Sequence, residues 1–225
     1  MKRRDLSLSL ASVLASACLS WPAAQAQTAP RAGPLGQKPE AGTDFLALSK
    51  PAPVEAAAGK IEVIEFFSYD CPHCNAFEPA LVAWIKRAPK DVAIKRVPVP
   101  FVGAIFERRQ RLYYTLEAMK LVDQLHDKVF HAIHVEQLRL DGDDALMDWI
   151  VKQGVDRAAF AAQYQSFSVS SKITRASRLA DAYKISGVPS LGIAGRFYTD
   201  GTLANGMERG LLVADYLIGE VRKGR

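Results

Sequence analysis

The sequence predicts an α/β fold whose strand–helix–strand core is interrupted by a block of helices, and three observations carry that prediction. From Ile61 to Phe67 the run Ile-Glu-Val-Ile-Glu-Phe-Phe is β-branched and aromatic, with apolar residues on both alternating faces, the pattern of a strand inside a sheet. Asp91 to Phe101 repeats that character after a helical stretch, so the two strands should run parallel. Between Ala104 and Tyr183 the apolar spacing becomes helical, and strand character returns only near Leu191.

The N-terminal residues precede that core. Lys2, Arg3 and Arg4 lead into an apolar, Ser/Ala-rich run from Leu6 to Trp21, and Ala24-Gln25-Ala26 follows Pro22; this is the order of a secretory signal, with cleavage after Ala26. The run is too short for a permanent membrane anchor. Residues 27–42 are rich in Pro, Gly and Ala without periodicity and read as a mobile leader. The remainder suffices for one sizeable domain, expected to be a monomer. A formal net charge of +5 over 225 residues is a mild excess that gives no argument for nucleic acid.

Cysteine usage narrows the function. Of three cysteines, Cys18 leaves with the signal, so the exported chain owns only Cys71 and Cys74. A small secreted scaffold stapled by disulfides carries several spaced pairs. One pair two residues apart is better explained as chemistry.

The strand ending at Phe67 is followed by the turn Ser68-Tyr69-Asp70, and Pro72 suits the first turn of a helix extending to about Arg87. Phe77, Leu81, Trp84 and Ile85 are spaced for its core face, and Pro79 is expected to kink it. Cys71 then sits at a helix N-terminus, where unpaired N–H groups and the helix dipole favour a thiolate. Cys74 lies one turn on, close enough to bond, and should be the more buried and less acidic thiol. His73 between them lowers the pKa of Cys71 further and tunes the pair toward oxidation. A zinc site would need two more ligands from His126, His131 and His134, which are remote in sequence. No metal and no cofactor is expected.

Leu112, Leu116 and Met119 mark one helix of the block, and Leu125, Val129 and Ile133 another. Asp143, Asp156 and Ser168 are candidate N-caps for three more. Two short apolar stretches around Gly195 suggest a hairpin, and Met207 to Val221 a closing helix. This order is that of a thioredoxin-like fold with an inserted helical domain: residues 43–103 and 185–225 form the thioredoxin-like part, and residues 104–184 the insert.

Glu65-Phe66-Phe67-Ser68, Cys71-Pro72-His73-Cys74 and Gly187-Val188-Pro189 together resemble the strand, active-site and proline signatures of the DsbA family, in its order and over nearly the whole exported chain. The resemblance implies a periplasmic thiol:disulfide oxidase, with Cys71, Cys74, His73 and Pro72 as its active-site motif and a cis Val188–Pro189 bond facing the cysteines. It further implies that unfolded exported polypeptides with free thiols bind beside Val188 and Pro189, and that a DsbB-type, quinone-linked membrane oxidase recharges the pair. Glu65 shares a strand face with Ile61, Val63 and Phe67 and should be buried, which is costly for a carboxylate without a partner or a function. The resemblance to thioredoxin-like proteins implies that such an acid is the proton acceptor for the second cysteine, the alternative being an Arg or Lys partner and no redox role. A basic residue on the next strand accompanies it, and Lys95 and Arg96 compete for that place. The rival readings are an isomerase or reductase on the same fold, for which residues 27–60 leave no room for the usual dimerisation domain, and a chaperone-like peptide-binding module.

Overall fold

The computed structural model describes residues 37–99 and 104–224. The secretory signal with its cleavage point, most of the leader, and Pro100 and Phe101 lie outside the described residues. At the centre is a five-stranded sheet made of β1 (Leu46–Ala47), β2 (Ile61–Phe67), β3 (Val92–Pro98), β4 (Ser190–Ile193) and β5 (Phe197–Asp200), in the order β1-β5-β4-β2-β3. Helix α1 (Pro72–Arg87) joins β2 to β3, which are therefore parallel, while the other pairings are antiparallel. The short strand β1 has no announcing pattern in the sequence; it exists because β5 offers it an edge.

Every residue of β2 is buried, because helices cover both faces of the sheet. On one face Ile61 and Val63 pack with Phe77, Leu81 and Trp84 of α1 and with Leu217 of α7 (Met207–Lys223). On the other, Ile64 and Phe66 belong to a core shared with the helices α2 (Ala104–Ala118), α3 (Val122–His134), α4 (Asp143–Lys152), α5 (Arg157–Tyr164) and α6 (Phe167–Tyr183). All five lie between β3 and β4, so the fold is thioredoxin-like with a helical insertion. Helix α1 runs without a break through Pro79. It is held at its far end by the Trp84 indole, which donates to Asp215 of α7 at 2.8 Å.

Two N-caps differ from the sequence expectation. Asp156 does cap α5, accepting from the Ala159 N–H at 2.7 Å. Helix α4 instead starts after Gly142, with Asp143 as its first residue, where the charge meets the positive end of the helix dipole. Helix α6 is capped by Ser166, whose hydroxyl accepts from the Val169 N–H at 3.2 Å. Helix α6 thus starts two residues before the expected Ser168, and Val169, Ile173, Ala176 and Ala180 form its buried stripe.

Candidate active site

Cys71 occupies the N-cap of α1 with Pro72 in the first turn, so the turn after β2 delivers its sulfur to the open end of the helix. The thiol is half-buried and Cys74 is fully buried, and both are free. Hydrogen bonding from the Cys74 thiol, opposed by partial burial and aided by the backbone N–H groups of Cys74 and His73 and the charge of His73, brings the Cys71 pKa down to about 6. Cys74 is pushed the other way, by burial first and then by its role as donor to Cys71. In reduced protein near neutral pH, an alkylating reagent should therefore label Cys71 at least about tenfold faster than Cys74. Peptide mapping after brief labelling checks this, and comparable labelling would reverse the roles of the two thiols.

The peptide bond between Val188 and Pro189 is cis, and the Val188 carbonyl lies 3.3 Å from the Cys71 sulfur, accepting from the thiol when it is protonated. A groove of about 500 Å³ opens beside this contact. Its walls are His73, Phe77 and Ala80 of α1, Val188 and Pro189, and Met207 at the start of α7. His73 is exposed at the mouth.

Behind Cys74 the site is charged. The parallel register sets Arg96 opposite Glu65, and its Nε donates to Glu65 Oε2 at 3.1 Å. Lys95 points away from that face and pairs with Glu55 at 2.7 Å, so Arg96 is the basic neighbour of the buried acid. The same guanidinium also donates to Glu78 of α1. Burial, opposed by Arg96 and reinforced by the Glu78 charge, pushes the Glu65 pKa up to about 8. Burial would raise Glu78 as well, but His126 and Arg96 outweigh it and hold that carboxyl below the ordinary range. His126, whose Nε2 is 3.6 Å from Glu78 Oε2, is itself buried.

A second ion pair braces the turn before Cys71. Asp70 accepts from Arg109 Nε at 2.9 Å, and Arg109, 3% exposed, continues to the Leu140 carbonyl at 2.6 Å and Asp141 at 3.1 Å. His134 Nε2 meets the Tyr69 carbonyl at 2.7 Å, so the helical insert holds the active-site turn by its backbone as well. His131 is exposed and pairs with Glu136, and among the described residues no group of His, Cys, Asp and Glu is arranged to hold a metal ion.

Comparison with known proteins agrees with this geometry. Residues 62–211 match the DSBA-like thioredoxin domain family. The thiol:disulfide interchange protein DsbA of Bordetella parapertussis is 44% identical over 214 residues, 95% of each chain. The chain belongs to the DsbA family. A Pseudomonas aeruginosa DsbA crystal structure superposes with a TM-score of 0.77 at 39% identity, covering 81% of this chain and 94% of that one. The Xylella fastidiosa DsbA structure gives 0.76 at 30% identity, covering 82% and 98%. As a member of this family, the protein is a thiol:disulfide oxidoreductase acting as a disulfide oxidase.

Around the cysteine motif, sequence reasoning missed Glu78, His126, Tyr69, Asp70 and Arg109. Glu78 had one available signal, since it stands four residues after Cys74 and so on the same side of α1. His126 and Arg109 had none, because only the packing of the insert brings them within reach of β2 and α1.

Proposed function

We propose that this member of the DsbA family is exported to the periplasm and donates its Cys71–Cys74 disulfide to unfolded polypeptides with free thiols. A substrate thiolate attacks the Cys71 sulfur, and the Cys71–Cys74 bond breaks with Cys74 as leaving group. Glu65, uncharged at neutral pH because of its burial, gives Cys74 the proton it needs. A second substrate thiol then attacks the mixed disulfide and expels Cys71 as a thiolate, and the substrate leaves oxidised. Cys71 at the N-cap with a pKa near 6 and Cys74 sealed behind it is the observation that carries this reading. The more stable the Cys71 anion, the better it leaves and the more oxidising the pair. Pro72 starts the helix that holds that anion, and His73 adds charge at its side. A DsbB-type quinone-linked membrane oxidase returns the disulfide. Residues 104–184 form a helical insert between the thioredoxin-like parts 43–103 and 185–225. Equilibration with glutathione tests the direction of the reaction: an oxidase lies well to the oxidising side of thioredoxin-like reductants, and a potential at or below theirs would make the chain a reductase.

Val188 and Pro189 hold the substrate. The Val188 carbonyl stands beside Cys71 and Pro189 lines the groove with no N–H of its own, leaving room for an extended chain to lie against this segment. Pro189→Thr is expected to slow release of the mixed disulfide and to accumulate covalent enzyme–substrate complexes on non-reducing gels. A folded variant that accumulates none would remove Pro189 from the substrate site.

A further inference from the structure

We infer that His126 determines which of two buried carboxylates, Glu65 or Glu78, holds the single proton of the cluster behind Cys74, and thereby keeps Glu65 in its acid form. The inference rests on the reading of Glu65 as proton donor to Cys74. Arg96 is one cation shared by two acids, with Nε 3.1 Å from Glu65 Oε2 and Nη2 bonded to Glu78 Oε1. Glu65 and Glu78 are 1% and 5% exposed. At that depth one cation stabilises one anion, and the second carboxylate keeps its proton. Arg96 touches both acids and does not by itself choose between them.

His126 makes the choice through its tautomer. Its ring is enclosed by Phe67, Tyr69, Tyr113 and Phe130, with Nδ1 2.8 Å from the Tyr69 hydroxyl. Burial keeps the Tyr69 phenol protonated, and among the described residues its O–H finds its acceptor in Nδ1. Nδ1 therefore accepts, and the proton of the neutral ring sits on Nε2. The opposite tautomer would leave the phenol proton without an acceptor and turn a lone pair toward a carboxylate. Nε2–H instead faces Glu78 Oε2 across 3.6 Å, and among the described residues neither atom has a hydrogen-bond partner. This buried dipole favours the Glu78 anion, the anion claims Arg96, and Glu65 retains the proton. The other groups that bear on the ring are Arg96 from β3, Tyr113 from α2, and Asp127 of its own helix, whose pull toward a charged ring is weaker than burial.

The balance of the reaction shows why the placement matters. A substrate dithiol gives up two electrons and two protons; its disulfide forms as the Cys71–Cys74 bond breaks. Cys71 leaves as a thiolate and Cys74 takes the proton of Glu65. Glu65 recovers one proton from the medium and the other is released there. His126 is a positioning residue in this scheme, since it touches no reacting sulfur.

Carbon-13 NMR of the glutamate carboxyl groups in reduced protein, assigned with Glu65→Gln and Glu78→Gln, tests the inference. Wild type and His126→Gln, which keeps a donor toward Glu78, should show Glu65 titrating at about 8 and Glu78 ionised at pH 7. His126→Leu should pass the proton to Glu78 and lower the Glu65 titration by about 1–3 pH units. In that variant, formation of the mixed disulfide at pH 7, the step in which Cys74 leaves and takes the proton, should slow about tenfold, and the alkaline limb of its rate profile should move down by the same interval. Tyr69→Phe, which frees the tautomer, should shift Glu65 in the same direction and serves if the leucine variant fails to fold. Glu65 still protonated at pH 7 in the variants lacking the donor or the phenol, or His126→Gln behaving like His126→Leu, would overturn the inference. An unchanged rate and pH profile in Glu65→Gln would instead overturn the donor role of Glu65, while the carboxyl titrations would still report where the proton sits.

Discussion

Reduced protein is expected to unfold at a higher temperature than oxidised protein above neutral pH, with the gap closing as the pH falls through about 6. A disulfide normally stabilises by restricting the unfolded chain, but it does so least for a short loop, and this one spans two intervening residues. Against it stands the Cys71 thiolate, which only the reduced fold possesses. Its pKa is about 6 in the folded protein and about 8.5 in an unfolded chain. A group whose folded pKa is depressed contributes stability that is complete above the unfolded value and lost as the pH drops through the folded value. Between those limits each pH unit changes the contribution by at most about 1.4 kcal/mol. At pH 7 about 1 kcal/mol remains once screening of this half-buried thiol is allowed for. His73→Ala should narrow the gap and leave the fold intact, because it removes the side-chain charge that favours the anion and keeps the backbone N–H at that position. Paired denaturation curves of the two redox forms between pH 5 and pH 9 measure it. A gap independent of pH would mean that Cys71 carries no stabilised thiolate and that the oxidase chemistry has another source.

Replacement of Arg96 by methionine should cost about 3–5 kcal/mol of stability, the largest loss expected from one substitution at this site. The methionine keeps most of the apolar stem, so the loss comes from the missing charge rather than from a cavity. Without the guanidinium, Glu65 and Glu78 face each other across a buried gap with no cation between them. Glu65 is already uncharged at neutral pH, so the damage lies with the Glu78 anion. Adding Glu78→Gln to Arg96→Met should accordingly restore most of the stability, a non-additivity that a loss of packing would not produce. Urea denaturation of the single and double variants supplies the comparison. A loss below about 1 kcal/mol in Arg96→Met would show that solvent reaches the cluster and that one cation does not govern it.

The extent to which this protein was legible from its residues follows the range of the forces involved. Strand β2, helix α1 and the placement of Cys71 at the helix start were readable because each depends on neighbours a few positions away: β-branched alternation, a proline in the first turn, apolar spacing at helical period. The cap of α6 went to Ser166 rather than Ser168, although two serines satisfy the local rule equally, and it is the Ser166 hydroxyl that accepts from the Val169 N–H. The contest between Lys95 and Arg96 was of the same kind. Adjacent residues on a strand face opposite sides of the sheet, and the pairing of β3 beside β2 sent Arg96 to Glu65 and Lys95 to Glu55. By itself the sequence determined the family, the chemistry of the cysteine pair and the burial of Glu65. The tertiary structure alone decided the company of that acid, because Arg96, Glu78, His126 and Tyr69 meet only when the strand, the helix and the insert pack together, and a buried charge takes its behaviour from whatever lies within a few ångströms of it.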